Sequence, residues 1–324
     1  MRQILLSGII LFSTGCSSIQ TVDARDKSNN SFKVTGSILQ EKKWIHGASD
    51  CTTNTDPAIE VFRYEQASYI LRQNKCLNFE APFIYVLFGD EKIVVLDTGA
   101  TESAQEFPIY KTIKSLIAEH SNLDGNTNRE LLVIHSHSHS DHYSGDEQFK
   151  GQANITLVEP NADAVAKFFT FNESGELNID LGGRELTIIS TPGHQEEAIS
   201  VYDNQTKWLL TGDTFYPGYV YVKNWNTYKN SIAKLVEFSS THEVSAVLGA
   251  HIEMTDKAGE YYPIGTTYQP NESSLVLTAE DLAALHTQLQ ESDEKHKVIF
   301  AKFIVVPMSL FQKTLSNIAR WLTQ

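Results

Sequence analysis

Four side chains that commonly bind metal ions lie within one short segment of the chain. His137, His139, Asp141 and His142 follow directly after the apolar residues 131–134. In an extended segment, residues two apart point to the same side, so His137 and His139 can serve one site. Asp141 and His142 are adjacent and point in different directions unless the chain turns. This spacing favours two neighbouring metal ions that are served by one loop.

Three further ligand-type residues each stand where a short apolar run ends. His194 follows residues 186–190, Asp213 follows residues 208–210, and His251 follows residues 245–249. Side chains at the ends of neighbouring strands converge on one edge of a sheet, where α/β proteins place their sites. A solvent-exposed histidine tract that binds metals loosely is the alternative for the first segment taken alone. The four segments together favour one metal site to which each of them contributes ligands.

The elements that must position these residues alternate between short apolar runs and helical stretches. The predicted strands cover residues 83–88, 92–96, 131–135, 155–158, 186–190, 200–202, 208–211 and 245–249, which are rich in apolar and branched side chains. The predicted helices cover residues 107–120, 162–169, 229–238 and 278–291. A strand over 298–305 and a closing helix follow. The simplest packing places two sheets in the middle with helices outside.

The ordered motifs resemble those of the metallo-β-lactamase superfamily. They are His137-x-His139-x-Asp141-His142, a Thr-Pro-Gly-His turn, a Gly-Asp-Thr segment and a late histidine. The segment Leu96-Asp97-Thr98-Gly99 resembles the early strand-end motif of the family, whose aspartate has a structural role. The resemblance extends from about residue 83 to residue 251. It implies an α/β fold, the αββα sandwich of two mixed sheets with outer helices.

The resemblance also implies a dinuclear metal site at the loop edge of the two sheets. The implied ligands form two sets joined by one carboxylate: His137, His139 and His194 hold one metal, Asp141, His142 and His251 hold the other, and Asp213 bridges them. Imidazole and carboxylate ligands suit two divalent ions, zinc first, with iron or manganese as alternatives. The expected nucleophile is a water activated as hydroxide by the pair, with Asp141 orienting it.

Other polar residues of the histidine segment are expected to have structural roles. His135 is interpreted as a histidine at the end of a strand rather than a ligand. Ser136, Ser138 and Ser140 are interpreted as spacers, with hydrogen bonding to the ligands as the alternative. No serine or cysteine nucleophile is required.

Two positions of the chain bear on the substrate. Zinc β-lactamases usually carry cysteine or no ligand at the position of Asp213, whereas a bridging aspartate resembles glyoxalase-II-type thioesterases, lactonases and other ester hydrolases. Tyr216 matches a tyrosine that donates to the substrate in quorum-signal lactonases, and the aromatic loop 213–225 is interpreted either as a substrate wall or as packing. The basic C-terminal glutathione site of glyoxalase II is not recognisable here.

The sequence therefore predicts a metal-dependent hydrolase that cleaves an ester, a lactone or a thioester. One alternative is a metallo-β-lactamase that hydrolyses β-lactam amides. The other is a non-catalytic metal-binding lipoprotein. The net charge of −14 disfavours binding to nucleic acid, which requires a basic surface, and fits a small-molecule substrate.

The N-terminal residues predict export. Arg2 precedes an apolar run, residues 4–12, that is too short to span a bilayer. Small residues then lead to Cys16, which resembles a bacterial lipoprotein cleavage site. Residues 1–15 are therefore predicted to be a signal peptide, and Cys16 to carry a lipid that anchors the protein to a bacterial membrane, facing the periplasm or the cell exterior. An ordinary secretory signal is the alternative.

Beyond the signal peptide, the sequence predicts a tether and one domain. Residues 16–43 are polar and lack periodicity, as a tether would, and residues 44–324 are expected to form a single catalytic domain with a C-terminal extension. In an exported protein the pair Cys51 and Cys76 favours a disulfide, with two buried free thiols as the alternative.

Overall fold

The computed structural model describes residues 38–291, 294–314 and 316. The predicted signal peptide, Cys16 and most of the predicted tether lie outside these residues. Within the described part of the chain, no helix is both long and apolar enough to cross a lipid bilayer. Cys51 and Cys76 form the predicted disulfide.

The first sheet contains the first six strands of the described chain, in sequence order. They are β1 (Ile59–Glu65), β2 (Ser68–Gln73), β3 (Phe83–Phe88), β4 (Lys92–Leu96), β5 (Glu130–Ile134) and β6 (Ile155–Leu157). Strands β1 to β4 pair antiparallel, whereas β4, β5 and β6 pair parallel. A parallel pair needs a crossover, and helix α1 (Ile109–Asp124) provides it between β4 and β5. The carboxyl ends of β4 and β5 therefore meet at one edge.

The second sheet contains later strands only. They are β7 (Glu176–Asp180), β8 (Glu185–Ser190), β9 (Ile199–Asp203), β10 (Trp208–Gly212), β12 (Ala246–Gly249) and β13 (Val276–Leu277), in the spatial order β13-β12-β10-β9-β8-β7. The pair β10 and β12 is parallel, and helix α4 (Trp225–Thr241) connects the two. The first half of the chain thus builds one large sheet and the second half builds the other.

Alternating side chains pack the two sheets face to face. In β3, Tyr85 and Leu87 belong to the core between the sheets, whereas Ile84 and Val86 belong to the core beneath α1. Helices α4 and α5 (Ala279–Gln290) cover the outer face of the second sheet. Helix α5 begins with a capping box between Thr278 and Asp281. The layers are helix, sheet, sheet and helix, which confirms the predicted αββα sandwich.

Two short helices and a small third sheet lie outside the two large sheets. The helices are α2 (Ser140–Tyr143) and α3 (Ala162–Phe168), and the third sheet has the order β11 (Tyr219–Val222), β15 (Ile304–Pro307), β14 (Val298–Ile299). The prediction of one strand over 298–305 is wrong. Ile299 pairs antiparallel with Ile304, and the rings of Phe300 and Phe303 stack 4.5 Å apart across the turn. Part of the predicted closing helix lies outside the described residues.

Candidate metal centre

All seven predicted ligands lie at one edge of the sandwich, in the segments that connect the strands. These segments follow β5, β8, β10 and β12, so each large sheet contributes ligands. After β5 the chain bends at residues 136–138, His139 is extended, and helix α2, which carries Asp141 and His142, begins at Ser140. The helical turn brings these adjacent side chains to the same centre, which an extended chain could not do.

The first group of side chains surrounds the Nδ1 atom of His139. Nε2 of His137 lies 3.0 Å from this atom, and Nε2 of His194 lies 3.1 Å from it. Oδ2 of Asp213 lies 3.9 Å from Nε2 of His137 and 3.7 Å from Nε2 of His194. One ligand atom from each of the four residues lies within 4.8 Å of all the others. Such a group could hold one metal ion.

The second group consists of Asp141, His142 and His251. Oδ2 of Asp141 lies 3.2 Å from Nε2 of His142 and 3.3 Å from Nε2 of His251. The other oxygen of Asp213, Oδ1, lies 3.7 Å and 3.4 Å from the same two nitrogen atoms. The two carboxylate oxygens of Asp213 therefore face different groups, as a carboxylate between two ions must.

The donor set fits a pair of cations. Oδ1 of Asp213 is buried and has no hydrogen-bond partner among the described residues. Buried carboxylate oxygens nearly always have a partner, because losing water without replacement costs free energy. Ring nitrogens and carboxylate oxygens are also the donors that divalent zinc, iron and manganese accept. The two groups form a metal-binding cluster.

Burial favours neutral side chains in the first group. It holds the pKa of His137 and that of His194 well below the usual value, and it lowers the pKa of His139 to about 4. Burial also raises the pKa of Asp213 to about 6. A neutral imidazole keeps a lone pair on one ring nitrogen, which is the form that binds a metal ion.

Charges of opposite sign meet in the second group. Burial acts to lower the pKa of His251, but Asp213 and Asp141 raise it to about 9. Burial likewise opposes charge on His142, yet Asp141 and Asp97 hold its pKa well above the usual value. Burial would raise the pKa of Asp141, and the two imidazoles instead hold it well below its usual range. Asp141 therefore stays ionised.

Asp97, at the carboxyl end of β4, orients one ring of the second group. Its Oδ2 accepts hydrogen bonds from Nδ1 of His142 at 2.8 Å and from Oγ of Ser136 at 2.9 Å. Its Oδ1 accepts the backbone N–H of Ser136 at 2.7 Å. These contacts place a proton on Nδ1 of His142 and direct its Nε2 toward Asp141 and Asp213 at the centre. The contact of Asp97 also shows that Ser136 is more than a spacer.

Backbone carbonyl groups orient two other rings. Nδ1 of His194 donates to the carbonyl oxygen of Tyr221 at 2.7 Å, and Nδ1 of His251 donates to that of Glu80 at 3.0 Å. In both rings Nε2 then faces the centre. The sequence could not reveal these acceptors, because every residue carries a carbonyl group.

Gln195 is a further contact that the sequence did not reveal. Its side-chain amide lies 2.5 Å from Nε2 of His139, and Nζ of Lys223 lies 3.5 Å from its Oε1. Gln195 directly follows His194, and no pattern in the sequence distinguishes it from a solvated polar residue. The amide and the ammonium group adjoin the first group of ligands.

Gly212 brings Asp213 between the two groups. It has φ +50°, and a Cβ atom added to it would lie 2.5 Å from Cβ of Ser136. Only glycine lets the end of β10 approach the loop after β5 this closely. This close approach brings Asp213, which follows a strand of the second sheet, next to the ligands that follow β5 in the first sheet.

His135 and Tyr216 have positions that differ from those of the seven ligands. Nδ1 of His135 lies 2.9 Å from the carbonyl oxygen of Val158, and its Nε2 lies 2.9 Å from Oδ1 of Asp146, so the ring belongs to neither group. The ring of Tyr216 packs 5.6 Å from that of His251. The Tyr216 hydroxyl has acceptors in the carboxylate of Glu253, at 3.1 Å, and the carbonyl of Tyr219.

Solvent reaches the cluster on one side. His139 and Asp141 are half-buried, and the other five predicted ligands are buried. A substrate that contacts the cluster must therefore approach past His139 and Asp141.

Comparison with known proteins agrees with this geometry. Residues 77–251 match the model of the metallo-β-lactamase superfamily, which is more than half of the chain. An acyl-coenzyme A thioesterase, MBLAC2 of Bos taurus, is 25% identical over 206 residues, covering 52% of this chain and 72% of that protein. A hydroxyacylglutathione hydrolase of Brucella ovis is 28% identical over 158 residues, covering 48% of this chain and 59% of that protein.

Comparison with solved structures agrees with the fold described above. The solved structure of TMB-1 superposes with a TM-score of 0.50 at 14% identity, covering 74% of this chain and 100% of that chain, a likeness that concerns the fold alone. The αββα sandwich, the metal-binding cluster and the match to the family model lead to one conclusion. The chain belongs to the metallo-β-lactamase superfamily and is a metal-dependent hydrolase.

Proposed function

We propose that the protein is an acyl hydrolase that cleaves a thioester, an ester or a lactone with a pair of divalent metal ions, zinc first. His137, His139 and His194 bind one ion, Asp141, His142 and His251 bind the other, and Asp213 bridges them. The observation that carries this proposal is the carboxylate of Asp213, whose two oxygens lie 3.4–3.9 Å from ring nitrogens of different groups.

Divalent ions held by these residues would lower the pKa of a water molecule and polarise the carbonyl group of the substrate. The side chains have complementary tasks. Asp141 stays ionised and is half-buried, so its carboxylate accepts a hydrogen bond from the attacking water and orients it. The water oxygen bonds to the acyl carbon, the bond from that carbon to sulfur or oxygen breaks, and the leaving group departs with a proton. No side chain becomes acylated.

The substrate class is proposed from the bridging residue and from the relatives. Two of the relatives are named for the hydrolysis of thioesters, an acyl-coenzyme A thioesterase and a hydroxyacylglutathione hydrolase. A carboxylate at position 213, where zinc β-lactamases usually carry cysteine, is in keeping with acyl esters and thioesters. We therefore rank thioesters first, esters and lactones next, and β-lactam amides last.

Tyr216 is proposed to assist at the substrate. Its ring packs against His251, and its hydroxyl shares Glu253 with the backbone N–H of Tyr219. In this role the hydroxyl exchanges its internal acceptor for the substrate oxygen as negative charge develops there. A role limited to packing would leave turnover unchanged when the hydroxyl is removed.

The test compares four substrates with protein of known metal content. A thioester, a lactone, an aryl ester and a chromogenic β-lactam are offered to the metal-loaded protein and to protein treated with a chelator. We expect hydrolysis of the thioester or another ester, about two ions per chain, and loss of activity on chelation. Turnover of the β-lactam alone would reverse the ranking, and full activity with one ion or none would refute the dinuclear site.

Variants of the bridge sharpen this test. Asp213→Ala is expected to lose at least one ion and most of the hydrolysis. Asp213→Cys is expected to bind zinc but to hydrolyse esters poorly. The matched control is Asp163→Ala, on the exposed side of α3, which should retain both ions and full activity.

We also propose the location and the domain organisation that the sequence predicts. Residues 1–15 act as a signal peptide, and Cys16 carries the lipid that anchors the mature chain to a bacterial membrane. Residues 44–324 form one catalytic domain with its C-terminal extension. These proposals rest on the composition of the N-terminal segment and on the sequence pattern.

A further inference from the structure

Three tyrosine rings form a half-exposed surface beside the metal centre. Strand β11 alternates, so Tyr219 and Tyr221 are half-buried on one face while Val220 and Val222 are buried on the other. The ring of Tyr219 lies 5.0 Å from that of Tyr221 and 4.8 Å from that of Tyr261. Tyr261 itself is 41% exposed. Three large rings thus remain within reach of a molecule arriving from solvent.

A lysine stands over this surface. Nζ of Lys297 lies 4.8 Å from the centre of the Tyr219 ring and 5.8 Å from that of the Tyr261 ring. The faces of aromatic rings attract cations, and this attraction holds the ammonium group of Lys297 above the two rings. Lys297 itself is exposed to water. Its charge is available to a ligand that lies against the rings.

Further lysines extend the positive charge on this side, although the whole chain is acidic. Lys313 has a lowered pKa because of burial and because Lys295 and Lys223 lie nearby. Lys223 is partly neutralised by Glu196, whose Oε1 lies 3.4 Å from its Nζ. Lys223 adjoins the first group of ligands through Gln195, so in a chain of net charge −14 these lysines favour an anionic ligand on this side.

The backbone of β11 is connected to the first group of metal ligands directly and to the second through Glu253 and Tyr216. The carbonyl of Tyr221 accepts the hydrogen bond from His194. The backbone N–H of Tyr219 donates to Oε2 of Glu253 at 2.7 Å, and the Tyr216 hydroxyl, whose ring packs on His251, can donate to the same oxygen. A substrate whose acyl group lies at the metal centre can therefore extend its other end across β11.

We propose that Tyr219, Tyr221, Tyr261 and Lys297 form a tyrosine–lysine subsite that binds the leaving group of an anionic substrate. The inference rests on the proposed acyl hydrolase function and narrows it to esters or thioesters whose leaving group carries a carboxylate or a phosphate. The rings cover the apolar stem of the leaving group, and Lys297 attracts its negative charge. A neutral leaving group packs against the rings but is not attracted by the charge of Lys297.

Three S-acetyl thioesters of similar size test this subsite with the full-length, metal-loaded protein. Their leaving groups are 3-mercaptopropionate, 2-mercaptoethyl phosphate and the neutral 3-mercaptopropanol. The released thiol is measured with a chromogenic thiol reagent, and kcat/KM is compared across the three. We expect at least one anionic thioester to be preferred, and the preference to shrink as salt is added. Comparison of the carboxylate with the phosphate identifies which anion the subsite accepts.

Variants of the exposed lysine assign any preference to the subsite. Lys297→Met should lower the anionic-to-neutral ratio of kcat/KM about threefold, and Lys297→Glu about tenfold, as expected for an exposed charge pair. The matched control, Lys111→Met on the outer helix α1, should leave the ratio unchanged. Circular dichroism and metal content verify that each variant is folded and loaded.

The outcomes separate the two proposals. If the metal-loaded protein hydrolyses none of the thioesters and no other ester, the proposed function and the subsite are both refuted. If it hydrolyses all three thioesters with equal efficiency, or if neither Lys297 variant changes the ratio, only the subsite is refuted.

Discussion

Asp97→Asn tests how strongly the support of one ring controls metal binding. The substitution preserves the size of the side chain but replaces one oxygen with a hydrogen-bond donor. Both oxygens of Asp97 are acceptors in the structure, one for the backbone N–H of Ser136 and the other for Nδ1 of His142 and the hydroxyl of Ser136. In either orientation of the new amide, a donor therefore faces a donor.

The magnitude follows from the two orientations. A buried donor without an acceptor costs about 1–3 kcal/mol, which corresponds to roughly a 5- to 150-fold change in an equilibrium constant. If the new amide N–H faces Nδ1 of His142, the ring can avoid two opposed donors by carrying its proton on Nε2. Nε2 then has no lone pair to offer a metal ion at the centre. We therefore expect the ion at the second group to bind about 10- to 100-fold more weakly, the usual effect of disturbing a residue that supports a ligand.

Competition with a chromophoric chelator measures this effect directly. Two binding steps are expected for the unmodified protein, and only the step that involves His142 should weaken. Backbone conformation is not a confounding factor, because Asp97 has φ +72° and asparagine adopts this region as readily as aspartate. Ser138→Ala is the matched control, since the buried Ser138 hydroxyl has no hydrogen-bond partner within the described structure. Two unchanged affinities in Asp97→Asn would refute the argument.

Four other perturbations have definite expected outcomes. Tyr216→Phe should lower turnover roughly 10- to 1000-fold at unchanged metal content, and an unchanged rate would assign Tyr216 to packing. Gly212→Ala should cost about 1–3 kcal/mol in urea unfolding and lower the metal content, because Cβ has no room at φ +50°. Reduction of the bridge between Cys51 and Cys76, separated by 25 residues, should cost about 3.5 kcal/mol in the same assay. Cys16→Ser should block processing or release the protein from membranes, and detergent-independent solubility of the unmodified exported protein would contradict the anchor.

The sequence predicted the ligand-bearing strands well because those strands are buried. β5, β10 and β12 are mostly apolar, and a predicted ligand follows each within three residues. Such runs retain their signal because both faces of the strand are covered. The seven residues that the motifs singled out consequently lie together in the structure.

Other strands were not predicted because their residues depend on distant partners. β2 is buried along its whole length although it contains Arg72 and Gln73. Arg72 forms a buried ion pair with Glu272, which is 200 residues away, so local pattern gives no hint of its burial. β7 has no fully buried residue and resembles a solvated loop in composition. The tyrosine rings of β11 likewise acquire their neighbours only in the folded chain.

The division of the ligands between the two halves of the chain has a consequence for folding kinetics. The loops of the first sheet carry His137, His139, Asp141 and His142, and those of the second carry the remaining three. The complete ligand set for both ions can therefore form only after the two halves have docked. An ion that binds after the rate-limiting step leaves the folding rate unchanged and slows unfolding instead. In this chain, metal ions would prolong the lifetime of the native state without hastening its formation.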